Sequence, residues 1–457
     1  MKMTMWRKAG LFLLAACIPW AGVSEATGVV FEVETDTPVV QAQKRQRVIV
    51  RALVRPDDDA NVKRRRVPLA AAVVLDRSGS MSSDGKMENA KAGALEALGM
   101  LDGRDVASVV VYDSEASVAV LARPVSDMKV FSRAISRIRP EGSTALYDGV
   151  RLGAEQLRSF VKEGYVPRII LLSDGIANVG PASTRELATL GRALAERGMT
   201  ITTIGLGLDY NEDLMTALAS ESGGNAYFAR HADSLTDIFA RDMEDALALT
   251  AREVRISLTC GDGVRPIGTI GRPAAPRKGE RADSARSIEV SIDNLYGAEK
   301  YALFEIEIPE SPDSEKSLEA ATLRLEYLDP ETGRLVAGEA PLRLVLTEDG
   351  GEVEKNRRVE IVSQTEIARN AEIREEVVRL ADEGRADEAS TILRERGESL
   401  RQFAPAAGAA APTMNREAKE FESLAEDLRN RGRMDSSQRK ESLNKAYIQK
   451  NQQSENK

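Results

Sequence analysis

Three segments of the sequence carry oxygen-bearing side chains that could bind a metal ion. In residues 74–81, Val-Leu-Asp-Arg-Ser-Gly-Ser-Met, a carboxylate and two hydroxyls follow one another at a spacing of two. Residues 141–145, Glu-Gly-Ser-Thr-Ala, and residues 171–175, Leu-Leu-Ser-Asp-Gly, add further hydroxyls and carboxylates. Such hard oxygen ligands suit Mg²⁺, Mn²⁺ or Ca²⁺, and Mg²⁺ usually keeps several water molecules. The alternative is that the hydroxyls only cap helices, as Ser80 or Ser83 could do for the first helix.

These segments can form one site only if a sheet brings them to the same edge. From Val67 onward, aliphatic runs typical of buried strands alternate with segments whose apolar residues recur at helical spacing. The continuous apolar run from Leu69 to Leu75 predicts a strand that is buried on both faces. The alternation over 67–250 therefore predicts an α/β domain with a doubly wound, mainly parallel, Rossmann-like sheet. Ligands bind at the carboxyl ends of strands in such sheets, which is where Asp76 is expected.

The regions on either side of this domain have the pattern of antiparallel strands. Arg47 to Val54 alternates with period two, as a half-buried strand does, and strand-like segments also recur over 251–350. The few strands of 27–66 would be marginal alone, so they are expected to join the later ones. The sequence thus predicts an antiparallel β-sandwich into which the α/β domain is inserted.

The last hundred residues predict helices. Residues 365–403 have the pattern of a helical hairpin that is broken at Asp382-Glu383-Gly384. Residues 404–412, rich in Ala and Pro, predict a linker that proteases would cut easily. Residues 413–457 are expected to form a polar helical or disordered tail.

The first 26 residues are predicted to be a signal peptide. Basic residues precede an apolar stretch, and Ser24-Glu25-Ala26 offers a small-x-small cleavage site. The alternative is a lipoprotein signal in which Cys17 would be acylated. Either processing predicts export to the periplasm, the cell envelope or the exterior, and leaves Cys260 without an intrachain partner. No later apolar run is long enough for a membrane span.

Composition excludes several classes of function. The 457 residues carry a net charge of −9 and 4% aromatics, which argues against nucleic-acid binding through a basic surface or a stacking platform. One histidine and two cysteines are too few for most zinc sites. His231 has no Gly-x-Ser-x-Gly nucleophile to serve, and the Ser-x-x-Lys at 83–86 lacks its partner motifs. These features predict a non-enzymatic protein with no catalytic residues.

The three segments together resemble the von Willebrand factor type A (VWA) domain and its metal-ion-dependent adhesion site. That family's pattern, Asp-x-Ser-x-Ser followed by a distant Thr and a later Asp, falls here on Asp76, Ser78, Ser80, Thr144 and Asp174. The resemblance implies that the hydroxyls contact a divalent cation, expected to be Mg²⁺ with Mn²⁺ or Ca²⁺ as alternatives. It also implies that the carboxylates bind the cation directly or through water. One position would stay open for an Asp or Glu carboxylate of a protein partner.

The layout of a VWA domain within a β-sandwich is similar to bacterial relatives of the inter-α-trypsin inhibitor heavy chains. Together these features predict an exported, metal-dependent binding protein for adhesion or assembly. A scaffold acting mainly through the C-terminal helices is one alternative. A metal-dependent hydrolase is another, since a bound cation can activate water.

Overall fold

The computed structural model describes residues 22–26, 28–57, 66–275, 286–310 and 316–452. Within these ranges the chain forms a β-sandwich, an α/β domain inserted into it, and a group of C-terminal helices packed against both. The predicted signal peptide lies outside the described residues except for its last five, which form an edge strand.

The N-terminal strands belong to both sheets of the sandwich. Their bounds are β1 (Gly22–Ala26), β2 (Val29–Thr35), β3 (Val39–Gln41) and β4 (Gln46–Pro56). Strands β1, β2 and β4 are antiparallel neighbours in one sheet, and β3 lies at the edge of the other. Because β1 is at an edge, the remaining strands of its sheet pair without it.

The α/β domain follows, with a sheet of six strands in the order β10-β9-β8-β5-β6-β7. Its strands are β5 (Leu69–Asp76), β6 (Val106–Tyr112), β7 (Ala116–Pro124), β8 (Val166–Ser173), β9 (Thr200–Leu206) and β10 (Ala226–Ala229). All neighbours are parallel except the edge strand β7, which is antiparallel to β6. The predicted mainly parallel sheet is confirmed.

Helices cover both faces of this sheet. They are α1 (Lys86–Gly99), α2 (Met128–Ser136), α3 (Leu146–Lys162), α4 (Thr184–Ala195), α5 (Glu212–Ser222) and α6 (Leu235–Leu247). Alternate residues of β5 enter two separate cores: Leu69 and Val73 pack with α1, α2 and α6, whereas Ala70 and Val74 pack with α3, α4 and α5. This two-sided burial explains why β5 reads as a continuous apolar run.

The chain then returns to the sandwich. The later strands are β11 (Ala251–Cys260), β12 (Arg265–Ile270), β13 (Ser287–Leu295), β14 (Lys300–Ile308), β15 (Ser317–Leu328) and β16 (Leu335–Thr347). Strand β14 pairs with β4 over nine residues, and the two sheets have the orders β1-β2-β4-β14-β12 and β13-β11-β15-β16-β3. The α/β domain is therefore inserted between β4 and the later sandwich strands, one of which, β14, pairs directly with β4.

The helices after the sandwich are longer and better packed than the sequence predicts. They are α7 (Gly350–Lys355), α8 (Val359–Asp382), α9 (Ala386–Phe403), α10 (Ala411–Arg431) and α11 (Ser436–Asn451). The linker prediction for 404–412 is wrong, because these residues form two short 3-10 turns and the start of α10. Ala404 and Ala407 are buried there among α8, α9 and α10, so small side chains serve close packing rather than flexibility.

The predicted polar tail contains two ordered helices, and α11 lies against the α/β domain. The Lys440 ammonium donates to the main-chain oxygen of Tyr210 at 2.6 Å and pairs with Glu212. Tyr447 donates to the oxygen of Gly224 at 2.8 Å and is buried against α5 and β10. No helix in the described ranges is long and apolar enough to cross a membrane.

Candidate metal centre

The five predicted ligand residues lie at the carboxyl edge of the parallel sheet. Asp76 is the last residue of β5, and Ser78 and Ser80 lie in the turn that leads into α1. Thr144 lies two residues before α3, and Asp174 directly follows β8. Since β5 and β8 are parallel neighbours, the two carboxylates end on adjacent strands at the same edge.

Asp76 is buried and held by neutral donors. One carboxylate oxygen accepts the main-chain N–H of Ser78 at 2.8 Å, and the other accepts the hydroxyl of Ser173 at 2.9 Å. Burial and, to a lesser extent, the nearby charge of Asp174 raise the pKa of Asp76 to about 6, against the lowering effect of these hydrogen bonds. A carboxylate in this setting favours a neutralising charge beside it.

The hydroxyls link the two carboxylates. The Oγ atoms of Ser78 and Ser80 are 3.0 Å apart, and Ser80 donates to Asp174 Oδ1 at 2.7 Å. A Cβ placed on Gly175 would stand 3.5 Å from both Ser80 Oγ and Thr144 Oγ1. The hydroxyl of Thr144 thus borders the same small space as that of Ser80, beside Asp174.

Main-chain hydrogen bonds fix the loops that carry these groups. The main-chain N–H of Thr144 donates to the side-chain oxygen of Asn178 at 2.9 Å, and the main-chain N–H of Asn178 donates to the main-chain oxygen of Thr144 at 3.2 Å. Gly79 N–H donates to Gly142 O at 3.1 Å, which joins the first loop to the second. Gly142 has φ of 75°, and a Cβ there would stand 2.9 Å from Ser114 Oγ, so a side chain would disrupt this junction.

Sequence reasoning missed two side chains that touch the carboxylates. Ser173 is buried and donates to Asp76, a role that its place beside Asp174 could have indicated. Lys86, the first residue of α1, donates to Asp174 Oδ2 at 2.8 Å, and no sequence signal pointed to that contact.

A cleft of about 630 Å³ opens beside Lys86, between the loops that follow β9 and β10. Asp84, which is exposed with φ of 52°, lines this cleft together with Arg230 and His231. His231 is exposed in the loop before the last helix of the domain, the surface position that the sequence indicated.

The donor set fits a hard divalent cation. Within the described ranges, no three His, Cys, Asp or Glu side chains converge as a metal cluster. Two carboxylates and three hydroxyls instead provide oxygen atoms alone, a set that suits Mg²⁺, Mn²⁺ or Ca²⁺ with water completing the coordination.

A second buried charged cluster lies at the opposite end of the same sheet. Arg168 lies near the start of β8, and its guanidinium donates to both carboxylate oxygens of Asp242. The bond from Nε to Oδ2 is 3.0 Å long, and Nη2 donates to Oδ1. It also donates to the hydroxyl of Tyr296, which follows β13 of the sandwich, at 2.7 Å. Thr202 and Asn225 donate to the same carboxylate of Asp242, at 2.7 and 3.1 Å. This cluster ties the α/β domain to the sandwich.

Comparison with known proteins agrees with this geometry. The family model of the von Willebrand factor type A domain matches residues 72–241. The chain contains a VWA domain. Domains of this family are typically interaction modules that often bind a divalent cation at a metal-ion-dependent adhesion site and commonly mediate protein–protein contacts through it.

Relatives match part of the chain. The uncharacterized protein sll0103 of Synechocystis sp. is 32% identical over 193 residues, which are 42% of this chain and 43% of that protein. The human inter-alpha-trypsin inhibitor heavy chain H4 is 28% identical over 171 residues, 35% of this chain and 18% of the heavy chain. The matches thus span less than half of the length of these relatives.

Two solved structures share the fold over most of the chain. A von Willebrand factor type A protein from Catenulispora acidiphila has a TM-score of 0.64 at 16% identity, covering 88% of this chain and 97% of that one. The ArnB paralog VWA2 from Sulfolobus acidocaldarius has a TM-score of 0.52 at 18% identity, covering 88% and 98%. Because the coverage exceeds the VWA domain, the likeness extends to the flanking strands and helices.

Proposed function

We propose that this protein is an exported, non-enzymatic binding protein that captures a carboxylate of a protein partner through a divalent cation. The ligands would be Asp76, Ser78, Ser80, Thr144 and Asp174. The observation that carries the proposal is their position at one edge of the VWA sheet, where the serine hydroxyls bridge toward two buried carboxylates.

The chemistry of the site supports binding rather than catalysis. Two carboxylates only just neutralise a divalent ion, and when one acts through water the cation stays electrophilic. An Asp or Glu side chain from outside can then complete the coordination. Mg²⁺ is the cation we expect, with Mn²⁺ or Ca²⁺ as alternatives that the same oxygen set accepts.

The surface around the site supports a protein partner. Ile176 follows Asp174 in the loop after β8 and is 62% exposed, and Leu208 follows β9 and is 42% exposed. Because β8 and β9 are parallel neighbours, both apolar side chains lie at the same edge of the sheet as the site and offer a protein partner apolar contact area. A partner that places its carboxylate on the cation could cover both residues.

Export rests on the sequence of the first 26 residues. Their basic start, apolar stretch and small-x-small end are typical of a secretory signal, and the lipoprotein alternative at Cys17 also leads out of the cytoplasm. We therefore propose the periplasm, the cell envelope or the exterior as the place of action.

Calorimetric titration with Mg²⁺ tests the cation site. Asp76→Asn keeps the size and one hydrogen-bond acceptor of the side chain but removes its charge, so we expect at least about a hundredfold loss of Mg²⁺ affinity. Asp84→Asn is the matched control, because it makes the same change at an exposed carboxylate nearby, and its affinity should stay within about twofold of the wild type. Unchanged Mg²⁺ binding by folded Asp76→Asn would reject this cation site.

Capture from an envelope extract tests the partner's chemistry. Immobilised wild type should retain a protein in Mg²⁺ and release it in EDTA, and the Asp76→Asn variant should retain none. Amidation of the carboxylates in the extract should abolish capture, whereas acetylation of its amines should not. Retention of the same protein from the amidated extract would contradict the carboxylate mechanism.

A further inference from the structure

Lys86 places a positive charge inside the candidate metal centre. Its ammonium donates to Asp174 Oδ2 at 2.8 Å, while Ser80 donates to Oδ1 of the same carboxylate at 2.7 Å. The Asp174 side chain is fully buried and that of Lys86 is 11% exposed, so water screens this pair poorly.

The position of Lys86 in its helix is unfavourable for a cation. Lys86 is the first residue of α1, where the partial positive charge of the helix N-terminus repels positive groups. The cost is offset by Asp174, which comes from a distant part of the chain. A lysine at this end of the helix that is buried against a ligand carboxylate indicates a role in the centre itself.

Electrostatics determines what that role can be. Asp76 and Asp174 together carry two negative charges when ionised, and Lys86 neutralises one of them. A divalent cation that enters the centre is attracted by the carboxylates and repelled by the ammonium. At distances of a few ångströms in a buried site, that repulsion lowers the affinity for the divalent cation by about tenfold or more.

We infer that Lys86 is a built-in counter-cation of the centre, which neutralises Asp174 before a divalent cation binds and lowers the affinity of the centre for that cation. The inference rests on the proposed function, since it concerns the same cation site. Its consequence is a centre that keeps a net positive charge once loaded, and this charge favours an anionic ligand from the partner.

The same helix offers a matched control. Lys91 is also buried, with its side chain 8% exposed, and its ammonium pairs at 3.0 Å with Glu88, an exposed residue of the same helix. Replacing Lys91 removes the same charge from the same helix without touching either ligand carboxylate. A purely general effect of net charge would therefore appear equally in both lysine variants.

The experiment is calorimetric titration of the full chain with Mg²⁺ alone. Lys86→Met removes the charge, and Lys86→Gln removes it but keeps an N–H donor for Asp174, so that one variant remains if the other folds poorly. We expect both to bind Mg²⁺ at least about tenfold more tightly than the wild type. Lys86→Arg and Lys91→Met should stay within about threefold of the wild type.

Thermal unfolding supplies a second measurement. In EDTA, Lys86→Met should melt below the wild type because it leaves Asp174 buried without its counter-charge. Added Mg²⁺ should then raise the melting temperature of Lys86→Met by more than that of the wild type. A lysine with a purely structural role would lower both melting temperatures equally and leave the Mg²⁺ shift unchanged.

The outcomes separate the two proposals. Mg²⁺ binding by the wild type with equal or weaker affinity in both Lys86→Met and Lys86→Gln would overturn the counter-cation role and leave the cation site standing. An absence of Mg²⁺ binding in the wild type and in every variant would overturn both. An equal gain of Mg²⁺ affinity in Lys91→Met and Lys86→Met would also overturn the specific role of Lys86.

Discussion

Two buried charged clusters lie at opposite ends of one sheet, and they differ in how their charges are balanced. At the amino end, the guanidinium of Arg168 pairs with the carboxylate of Asp242, and a second carboxylate and a second cation, Asp245 and Lys300, lie close enough to interact with them. At the carboxyl end, the carboxylates of Asp76 and Asp174 lie close together, and the ammonium of Lys86 pairs with Asp174. The first cluster is complete without a ligand, whereas the second has an excess of negative charge that a cation can neutralise.

The pKa values of the two clusters show the same difference. Burial by itself lowers the pKa of Arg168, but the Asp242 carboxylate outweighs it and holds the pKa well above its usual value. At the other end, burial and the neighbouring charge of Asp174 raise the pKa of Asp76 to about 6. The folded protein thus stabilises the charge of Arg168 and destabilises that of Asp76, which distinguishes a structural cluster from the candidate ligand-binding one.

The largest expected effect is on stability at the amino end. Asp242→Asn leaves the buried guanidinium of Arg168 without its counter-charge, so we expect the free energy of unfolding to fall by about 3–5 kcal/mol. Chemical denaturation measures this loss, with the exposed Asp237→Asn on the same helix as control. Where Asp242→Asn still folds, its Mg²⁺ affinity should equal that of the wild type. A reduced affinity would show that the amino-end cluster also supports the candidate centre.

The next effect has the opposite sign and lies at the carboxyl end. In EDTA near pH 7.5, Asp76→Asn should be more stable than the wild type by about 3 kcal/mol, because it removes a buried charge whose pKa is raised. Since the folded pKa exceeds the unfolded one, the stability that Asp76 contributes is present below pH 4 and is lost as pH rises to about 6.

Denaturation curves in EDTA from pH 4 to pH 8 measure this difference. The wild type should lose stability relative to Asp76→Asn over that range, and Asp84→Asn should follow the wild type. A variant that is less stable than the wild type throughout would show that the Asp76 carboxylate serves the fold rather than a ligand.

The smallest effect concerns the contact between the α/β domain and the sandwich. Tyr296→Phe removes the hydroxyl that accepts a hydrogen bond from Arg168 at 2.7 Å, so we expect a loss of about 1 kcal/mol. Tyr165→Phe, at a half-buried tyrosine of the α/β domain, is the control in the denaturation series. An effect as large as that of Asp242→Asn would mean that Tyr296 is an essential member of the amino-end cluster.

The sequence predicted the candidate centre far better than the amino-end cluster. Asp76, Ser78 and Ser80 lie within five residues, and their local spacing after a buried strand is visible without a structure. Arg168 and Tyr296 are 128 residues apart, in different domains, and carry no local pattern. Contacts of that kind depend on how domains pack, which residue periodicity does not encode.

The same reason explains the errors in the C-terminal region. Helical periodicity predicted α8 and α9, but the alanines of 404–412 pack only because α10 returns across them. Likewise, polar α11 looks solvent-exposed in sequence, yet Lys440 and Tyr447 are buried where it meets the α/β domain. Lys86 was missed for a similar reason, since its partner Asp174 lies 88 residues away.

The insertion of the α/β domain has a mechanical consequence. The polypeptide enters the domain after β4 and leaves it into β11, so two covalent connections join it to the sandwich. The Arg168 and Tyr296 hydrogen bond adds a third point of attachment at the end of the sheet away from the candidate centre. A pulling force applied at the candidate centre would run along the parallel strands and be shared among these attachments, a geometry that restrains swivelling more than one flexible tether would.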